Sequence, residues 1–268
     1  MDKIKVGCIG IGVMGSALMQ AIARVIGPSQ LVVSDPDSTK RDSFCTLTGC
    51  LSENSNAKVV AMAEYVFLAV KPQYLEAVLS ECIPSLSEKT ILVSMAAGVS
   101  IERLQKLSGG HSRVVRIMPN TPASVSSGVV AIAPDSSVTT AETEELCRLL
   151  SGSGLTEITP ENLMDAVTAI SGSGPAYGYI FIEALSDAAV QMGMPRAQAL
   201  RYAAATLRGA GEMVLKTGIH PAVLKDGVCS PGGTTIAAVT SLEEKGFRAA
   251  IIAAARQAWL RSKELSSI

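Results

Sequence analysis

The sequence GIGVMG at residues 10–15 follows a short apolar run and precedes a segment with helical periodicity. A glycine-rich turn in this position is typical of a βαβ unit that binds a dinucleotide. Its first glycine allows a tight turn, its second lets the backbone approach a pyrophosphate, and its third lets helix and strand pack closely. The free N–H groups and dipole of the helix start then attract phosphate. The alternative is an ordinary glycine-rich turn.

Short apolar runs alternate with helical stretches through the first 160 residues, as in a parallel sheet covered by helices. Strands are predicted at residues 3–10, 31–35, 65–70, 90–95, 113–118, 129–133 and 155–158. Helices are predicted at residues 13–25, 39–47, 73–82, 101–107 and 140–150. Residues 1–160 are therefore predicted to form a dinucleotide-binding domain.

Residues 161–268 show long Ala-rich helical periodicity and few strand signals. Tyr177, Ile180 and Phe181 share one helix face, and Pro195 suits the start of a helix over residues 196–216. Residues 249–260 begin with seven uncharged residues, which predicts a helix buried nearly all round. So small a domain buries that surface more easily against a second chain. The fold class is therefore an α/β N-terminal Rossmann-type domain plus an all-α C-terminal dimerisation domain.

Composition excludes several classes of function. The formal net charge is -1, with 23 Lys+Arg against 24 Asp+Glu, which gives no sign of a nucleic-acid or anionic-membrane partner. We expect neither a signal peptide nor a membrane span, because the apolar runs are short or interrupted. The six cysteines form no CxxC pair and only two histidines are present, so no metal site is expected. These features favour a reducing cytoplasm.

Asp35 stands about twenty residues after the glycine-rich turn, at the end of the second predicted strand. A carboxylate there accepts hydrogen bonds from the adenosine ribose and repels a 2′-phosphate, which favours NADH. The alternative is a simple turn in which Asp37 or Ser38 caps the next helix. Lys40 and Arg41 are close enough to make the preference uncertain on sequence alone.

Three further motifs follow predicted strands: AVKP at residues 69–72, MAAG at residues 95–98 and MPNTP at residues 118–122. Ligands of an open parallel sheet bind at the carboxyl ends of its strands. Small residues there would let a flat cofactor lie against the backbone. Taken singly, AVKP and MAAG are better explained as plain strand-to-helix connections, and MPNTP is a stiff turn where the nicotinamide ring should reach.

The helical half contains SGSGPAY at residues 171–177, which lacks the G-x-S-x-G spacing of a hydrolase elbow. It predicts a bend between helices, with Pro175 in the first turn of the next helix. The hydroxyl groups of Ser171 and Ser173 remain candidates for facing a substrate.

The sequence SPGGTT at residues 230–235 interrupts the helical half. Gly232 and Gly233 would let the backbone bend close to a ligand, and a helix is predicted to begin at Ile236. Exposed N–H groups with the hydroxyls of Thr234 and Thr235 would form an anion pocket for a carboxylate. A threonine N-cap after a loop explains the spacing about as well.

Taken together, these motifs closely resemble the pyrroline-5-carboxylate reductase family. The resemblance also includes DAVTAISGSGPAY at residues 165–177 and LKDGVCSPGGTTIAAV at residues 224–239, and it covers nearly the whole chain in order. It implies reduction of L-1-pyrroline-5-carboxylate to L-proline, the last step of proline biosynthesis, with hydride from NADPH or NADH. It further implies a homodimer intertwined through the helical domain, and dimers of this family often assemble into rings.

The motifs and the resemblance together assign site residues. Cofactor-binding residues are predicted to be Gly10, Ile11, Gly12, Val13, Met14, Gly15, Ser34, Asp35, Asn56, Ala69, Val70, Lys71, Pro72, Met95, Ala96, Ala97, Gly98 and Asn120. Substrate-binding residues are predicted to be Glu161, Ser230, Gly232, Gly233, Thr234 and Thr235, with Glu161 approaching from the dimer interface. Thr235 is the candidate for a hydrogen bond to the ring nitrogen, and Ser173 is the second catalytic candidate.

Two departures from the family's commoner pattern bear on the cofactor. Gly227 stands where many members carry Asn or Asp, and Asp35-Pro36 stands where most members have a neutral or basic strand end. We therefore predict that NADH is usable although most members favour NADPH.

Two other functions remain open. One is a β-hydroxyacid dehydrogenase, which would need a catalytic lysine on the interdomain helix, where this chain has none between Lys106 and Lys216. The other is a nucleotide-sensing binding protein without turnover.

Overall fold

A computed structural model describes residues 4–266 of the chain. It divides into two compact units: the first comprises Met1–Gly172 together with Ala258–Ile268, and the second comprises Ser173–Gln257. The predicted domain boundary between residues 160 and 161 stays a prediction. Among the described residues, no helix is long and apolar enough to cross a membrane.

The first unit is built on an eight-stranded sheet with the order β3-β2-β1-β4-β5-β6-β7-β8. The strands are β1 (Ile4–Ile9), β2 (Leu31–Ser34), β3 (Leu51–Ser52), β4 (Ala63–Leu68), β5 (Ile91–Ser94), β6 (Val114–Pro119), β7 (Gly128–Pro134) and β8 (Gly154–Ile158). Neighbouring strands are parallel except β6 and β7, which are antiparallel. The strand order reverses beside β1, so the carboxyl ends of β1, β2 and β4 flank the switch point where such sheets bind ligands.

Helices cover both faces of this sheet. They are α1 (Val13–Ile26), α2 (Ser38–Thr48), α3 (Asn56–Met62), α4 (Pro72–Cys82), α5 (Ile101–Leu107), α6 (Thr140–Leu150) and the single turn α7 (Met164–Val167). Leu18 of α1 and Leu146 of α6 belong to one buried cluster, whereas Val59 of α3 and Leu79 of α4 belong to the other. Apolar strands buried on both sides explain the uninterrupted Val and Ile runs of the sequence.

All seven predicted strands and all five predicted N-terminal helices are present, with ends shifted by at most two residues. The prediction missed β3, because a two-residue strand gives too short a pattern. It also missed α3, which ends at Met62 and runs directly into β4 at Ala63 with no turn residue to separate the two patterns. It also expected a parallel sheet throughout, which is wrong for β7 and β8: β7 is antiparallel to β6, and β8 runs parallel to β7. Only residues 120–127 join β6 to β7, and they form the 3-10 helix Thr121–Val125. A connection this short cannot hold a crossover helix, so the chain returns antiparallel.

The described part of the second unit is helical, as predicted. Its helices are α8 (Gly174–Gln191), α9 (Arg196–Thr217), α10 (Pro221–Gly227), α11 (Thr234–Glu244) and the first part of α12 (Phe247–Ser266). Helices α8 and α9 pack together, with Ala199 and Ala203 of α9 buried. The rings of Phe181 and Phe247 lie 6.2 Å apart. The small side chains of Ala199 and Ala203 allow α9 to pack closely against α8.

The expectation that α12 is buried nearly all round is wrong for a single chain. Ile252 is 69% exposed, and Ile180 of α8 and Leu215 of α9 are 66% and 76% exposed. An uncharged run of sequence is buried only if other helices or strands are present to cover it. The second unit has too few elements to cover every apolar face of its helices.

Candidate functional site

The glycine-rich turn has the shape of a phosphate cradle. Gly10 has φ +97, and a Cβ there would lie 2.7 Å from the Ala69 carbonyl oxygen; a Cβ on Gly15 would lie 2.4 Å from the Gly10 carbonyl oxygen. A Cβ on Gly12 would meet no atom within 4 Å, so the space above it is open. Gly12 is also the N-cap of α1 and offers no side-chain cap. The open space and the bare helix start fit a bound pyrophosphate.

Asp35 braces this turn from the end of β2. Its Oδ2 accepts a hydrogen bond from the Ile11 N–H at 2.7 Å, and its Oδ1 accepts one from the Asp37 N–H at 2.9 Å. Asp37 is the N-cap of α2 and accepts from Thr39 and Lys40. The hydrogen bond from the Lys40 N–H is the main cause that lowers the pKa of Asp37. The capping role expected at Asp37 is therefore present, and it leaves the Asp35 carboxylate beside the glycine-rich turn.

Ser34 and Asn56 are joined directly at the same sheet edge. The Ser34 hydroxyl donates to Asn56 Oδ1 at 2.8 Å, and Asn56 Nδ2 donates to Glu81 Oε2 at 2.8 Å. The structure thus brings two of the predicted cofactor residues together. It adds Glu81, which lies near the end of α4 and has no sequence motif of its own.

The AVKP and MAAG motifs lie at the carboxyl ends of β4 and β5. Lys71 is the N-cap of α4 with Pro72 in its first turn, and the Ser94 hydroxyl accepts from the Ala96 N–H at 3.3 Å. Gly98 has φ +75. Pro72, Ala97 and Gly98 line a cavity of about 670 Å³ within the first unit. Both motifs therefore lie at the sheet edge predicted to carry the cofactor, and contact with it stays a prediction.

Asn120 ties two motifs together inside the first unit. It is 7% exposed. Its Nδ2 donates to the Ser171 carbonyl oxygen at 3.0 Å and its Oδ1 accepts from the Val129 N–H at 2.8 Å. The side chain therefore holds the MPNTP turn against the start of SGSGPAY. Direct contact of Asn120 with the cofactor remains a prediction.

Glu161 is engaged within its own chain. Its Oε1 accepts a hydrogen bond from the Ile101 N–H, at the start of α5, at 2.7 Å. The same oxygen lies 3.5 Å from Nη1 of Arg116, a β6 residue that is 4% exposed. A buried arginine needs such a carboxylate partner. Sequence patterns did not reveal Arg116, and the substrate contact of Glu161 stays a prediction.

The SPGGTT segment forms a second bare helix start. Helix α11 begins at Thr234, not at Ile236 as predicted, and its N-cap is Gly233 without a side-chain cap. Gly232 has φ +67, which favours glycine. The Gly233 N–H donates to the Ser230 carbonyl oxygen at 3.0 Å, which closes the turn. Because glycine is the cap, the threonine hydroxyls are not used for capping, and the main-chain N–H groups of the first turn can bind an anion.

The SGSGPAY segment forms the predicted bend. A π-helical turn, Thr168–Gly172, precedes α8, and Pro175 lies in the first turn of α8. The Ser171 hydroxyl donates to the Val167 carbonyl oxygen at 3.0 Å. Ser171 is thereby used within its helix, whereas Ser173 is the N-cap of α8 and makes no side-chain cap bond. Its catalytic role stays a prediction.

Comparison with known proteins identifies relatives of the whole chain. Residues 161–265 match the family model described as pyrroline-5-carboxylate reductase dimerisation, and residues 5–98 match that described as NADP oxidoreductase coenzyme F420-dependent. The pyrroline-5-carboxylate reductase of Escherichia coli (strain K12) is 42% identical over 268 residues, covering 99% of both chains. That of Methanosarcina acetivorans is 42% identical over 267 residues, again covering 99% of both chains.

A solved structure has the same architecture over its full length. The crystal structure of Plasmodium falciparum pyrroline carboxylate reductase with NADP bound has a TM-score of 0.87 and 32% identity. The alignment covers 99% of each chain. The similarity therefore includes both units of the chain.

Proposed function

The chain belongs to the pyrroline-5-carboxylate reductase family, and on that premise we infer that it reduces L-1-pyrroline-5-carboxylate to L-proline with NAD(P)H. This is an oxidoreductase reaction and the last step of proline biosynthesis. The observation in the structure that carries the function is the pair of glycine-capped helix starts, at Gly12 and Gly233. One suits a pyrophosphate, and the other suits a small carboxylate.

Residues of the first unit would hold the cofactor. Bound there, the reduced nicotinamide supplies the hydride. The bare N–H groups of α1 would bind the pyrophosphate, and the Asp35 carboxylate would accept hydrogen bonds from the adenosine ribose. Both roles rest on the open space over Gly12 and on the contact between Asp35 and Ile11. The 2.8 Å contact of Ser34 and Asn56 supports their assignment to the adenosine end.

Residues at the start of α11 would hold the substrate. The main-chain N–H groups of Thr234 and Thr235 bind the carboxylate of the cyclic imine, which needs no arginine because the helix start is itself electropositive. The turn at Ser230, Gly232 and Gly233 shapes the pocket. A protonated imine already accepts hydride readily, so the protein's main contribution is to orient it and exclude water. The Thr235 hydroxyl hydrogen-bonds to the ring nitrogen, and Ser173 is the second catalytic candidate. Glu161 is proposed to approach the substrate from the dimer interface.

Self-association follows from the match of residues 161–265 to a dimerisation family model. We propose a homodimer formed through the helical domain, with a ring of dimers as the larger assembly. Exposed apolar side chains on α8, α9 and α12 support a partner surface, since a monomer rarely leaves so many uncovered. Sedimentation velocity across a range of concentrations tests this, and a monomer at every concentration contradicts it.

We propose that the protein works in the cytoplasm. All six cysteines are free thiols, which suits a reducing compartment. Cell fractionation with an antibody to the protein tests the location, and recovery in a membrane or extracellular fraction contradicts it.

One assay separates the three candidate functions. Racemic pyrroline-5-carboxylate is added to the protein with NADH or NADPH, and the loss of reduced nicotinamide is followed. A reductase oxidises the cofactor only after the imine is added. A β-hydroxyacid dehydrogenase reacts instead with a hydroxy acid and the oxidised cofactor. A sensing protein binds the nucleotide and shows no turnover with either.

A further inference from the structure

Glu81 reaches from the end of α4 to the first residues of α3. Its Oε1 accepts a hydrogen bond from the Asn56 N–H at 3.2 Å, and its Oε2 accepts one from Asn56 Nδ2 at 2.8 Å. The Ser55 hydroxyl lies 3.5 Å from the same Oε1. Since Ser55 makes no side-chain cap bond to α3, Glu81 supplies the negative charge at this helix start. One carboxylate therefore holds both the backbone and the side chain of Asn56.

These contacts fix which way the Asn56 carboxamide points. Its oxygen accepts from the Ser34 hydroxyl at 2.8 Å, and its nitrogen donates to Glu81. Turning the amide over would place its nitrogen against the Ser34 donor and its oxygen against a carboxylate, so Glu81 disfavours that orientation. Ser34 is the last residue of β2 and precedes Asp35. The carboxamide thus stands at the strand end where a dinucleotide fold receives the adenosine ribose.

The charges at this edge disfavour a 2′-phosphate. Glu81 places a carboxylate on Asn56 through a hydrogen bond, and Asp35 follows Ser34 directly in the chain. The basic residues nearest in sequence are engaged with acidic side chains: Lys40 with Asp37 at 3.2 Å, Arg41 with Asp42 at 3.1 Å and Lys58 with Glu53 at 3.4 Å. A phosphate group would have to compete for each of these cations.

We propose that Glu81 is a positioning residue for the adenosine end of the cofactor. It acts through Asn56, and its charge adds to that of Asp35 in favouring NADH over NADPH. This inference takes the identity of the cofactor, NADH or NADPH, from the proposed function and nothing else. It assigns the chain a second specificity determinant, near the end of α4 and outside the AVKP motif at the start of that helix.

The test measures direct binding of NADH and NADPH to the full-length protein in the absence of the imine. Glu81→Gln keeps an acceptor oxygen and removes the charge, whereas Glu81→Ala removes both. Glu88→Gln is the matched control, because it removes the same charge from an exposed residue before the amino end of β5, whereas Ser34 lies at the carboxyl end of β2.

We expect Glu81→Ala to weaken NADH binding ~5-fold, because the hydrogen bonds that orient Asn56 are lost. Glu81→Gln should shift the ratio of NADH to NADPH affinity ~3-fold toward NADPH, and this shift should shrink at high salt. If Glu81 had a purely structural role, its substitution would change the affinities for NADH and NADPH by the same factor, and that factor would not depend on salt. Steady-state kinetics should show the change in KM for the cofactor and an unchanged kcat.

Unchanged affinities and ratio in Glu81→Gln and Glu81→Ala, or an equal change in Glu88→Gln, would overturn the proposal. If Glu81→Ala does not fold, the ratio and its salt dependence in Glu81→Gln decide the question. Wild-type protein that binds both dinucleotides but never oxidises them with the imine would refute the proposed reaction and leave the binding comparison intact. The decisive reading is therefore the NADH to NADPH affinity ratio of Glu81→Gln at low and high salt.

Discussion

The Oδ2 of Asp35 accepts a hydrogen bond from the main-chain N–H of Ile11 at 2.7 Å. This contact joins the end of β2 to the glycine-rich turn after β1, twenty-four positions earlier in the chain. The acidic residue therefore supports the glycine-rich turn. If its remaining lone pairs accept from the adenosine ribose, as we propose, cofactor preference and the geometry of the turn depend on the same side chain.

Replacing Asp35 is expected to change the cofactor preference. Asp35→Asn keeps an acceptor for the Ile11 N–H and removes the charge that repels a 2′-phosphate, so NADPH should improve relative to NADH by about 10-fold in kcat/KM. Glu88→Gln again serves as the charge-matched control. A wild-type preference for NADPH larger than about 10-fold would show that Asp35 does not face the ribose.

Thr235 is expected to act in the chemical step. Thr235→Ala should lower kcat by about 10²-fold and leave NADH binding intact, because it removes the hydroxyl that we propose contacts the ring nitrogen. Thr235→Ser should restore most of the rate. Thr240→Ala is the control on the same helix, since the Thr240 hydroxyl donates only to the Ile236 carbonyl oxygen in its own helix. Unchanged turnover in Thr235→Ala would remove this residue from any catalytic role.

Asn120 is expected to stabilise the first unit. Asn120→Ala leaves the Ser171 carbonyl oxygen and the Val129 N–H without their partner, which should cost about 1–3 kcal/mol of unfolding free energy. Urea unfolding followed by circular dichroism measures this. Ser124→Ala, which removes an exposed hydroxyl bonded to the Thr121 carbonyl oxygen, should change the free energy far less. Equal stabilities of the two variants would contradict a stabilising role for the Asn120 hydrogen bonds to Ser171 and Val129.

Glu142 is expected to stabilise the fold at neutral pH and not in acid. Burial alone would raise the pKa of Glu142, but hydrogen bonds from Thr139 and the ion pair with Arg113 hold it below its usual value. A carboxyl with a lowered folded-state pKa contributes stability above its unfolded pKa, and that contribution disappears as pH falls through the folded pKa. Glu142→Gln should therefore unfold at lower urea concentration than the wild type at pH 7, and this difference should shrink as pH falls through the folded-state pKa of Glu142. A difference in urea stability between the two proteins that persists in acid would contradict the lowered pKa of Glu142 as its cause.

The sequence was sufficient for the features that short-range patterns specify. The first strand, the glycine-rich turn and α1 follow from spacing within residues 3–25, and Asp35 from its distance to that turn. Patterns of this kind cannot reveal contacts between distant segments. Asn56 and Glu81 are twenty-five positions apart, and Arg116 and Glu161 are farther still. The glycine cap of α11 also escaped prediction, because Gly-Gly-Thr-Thr allows a helix to begin at either glycine or threonine.

Stereospecific formation of proline tests the central claim most directly. The protein is incubated with racemic pyrroline-5-carboxylate and excess NADH or NADPH, and the product is resolved by chiral chromatography. We predict that only L-proline forms, that its amount equals the reduced cofactor consumed, and that the reaction stops once the L-imine is exhausted. Cofactor oxidation without proline, or no oxidation with either cofactor, would contradict the assignment.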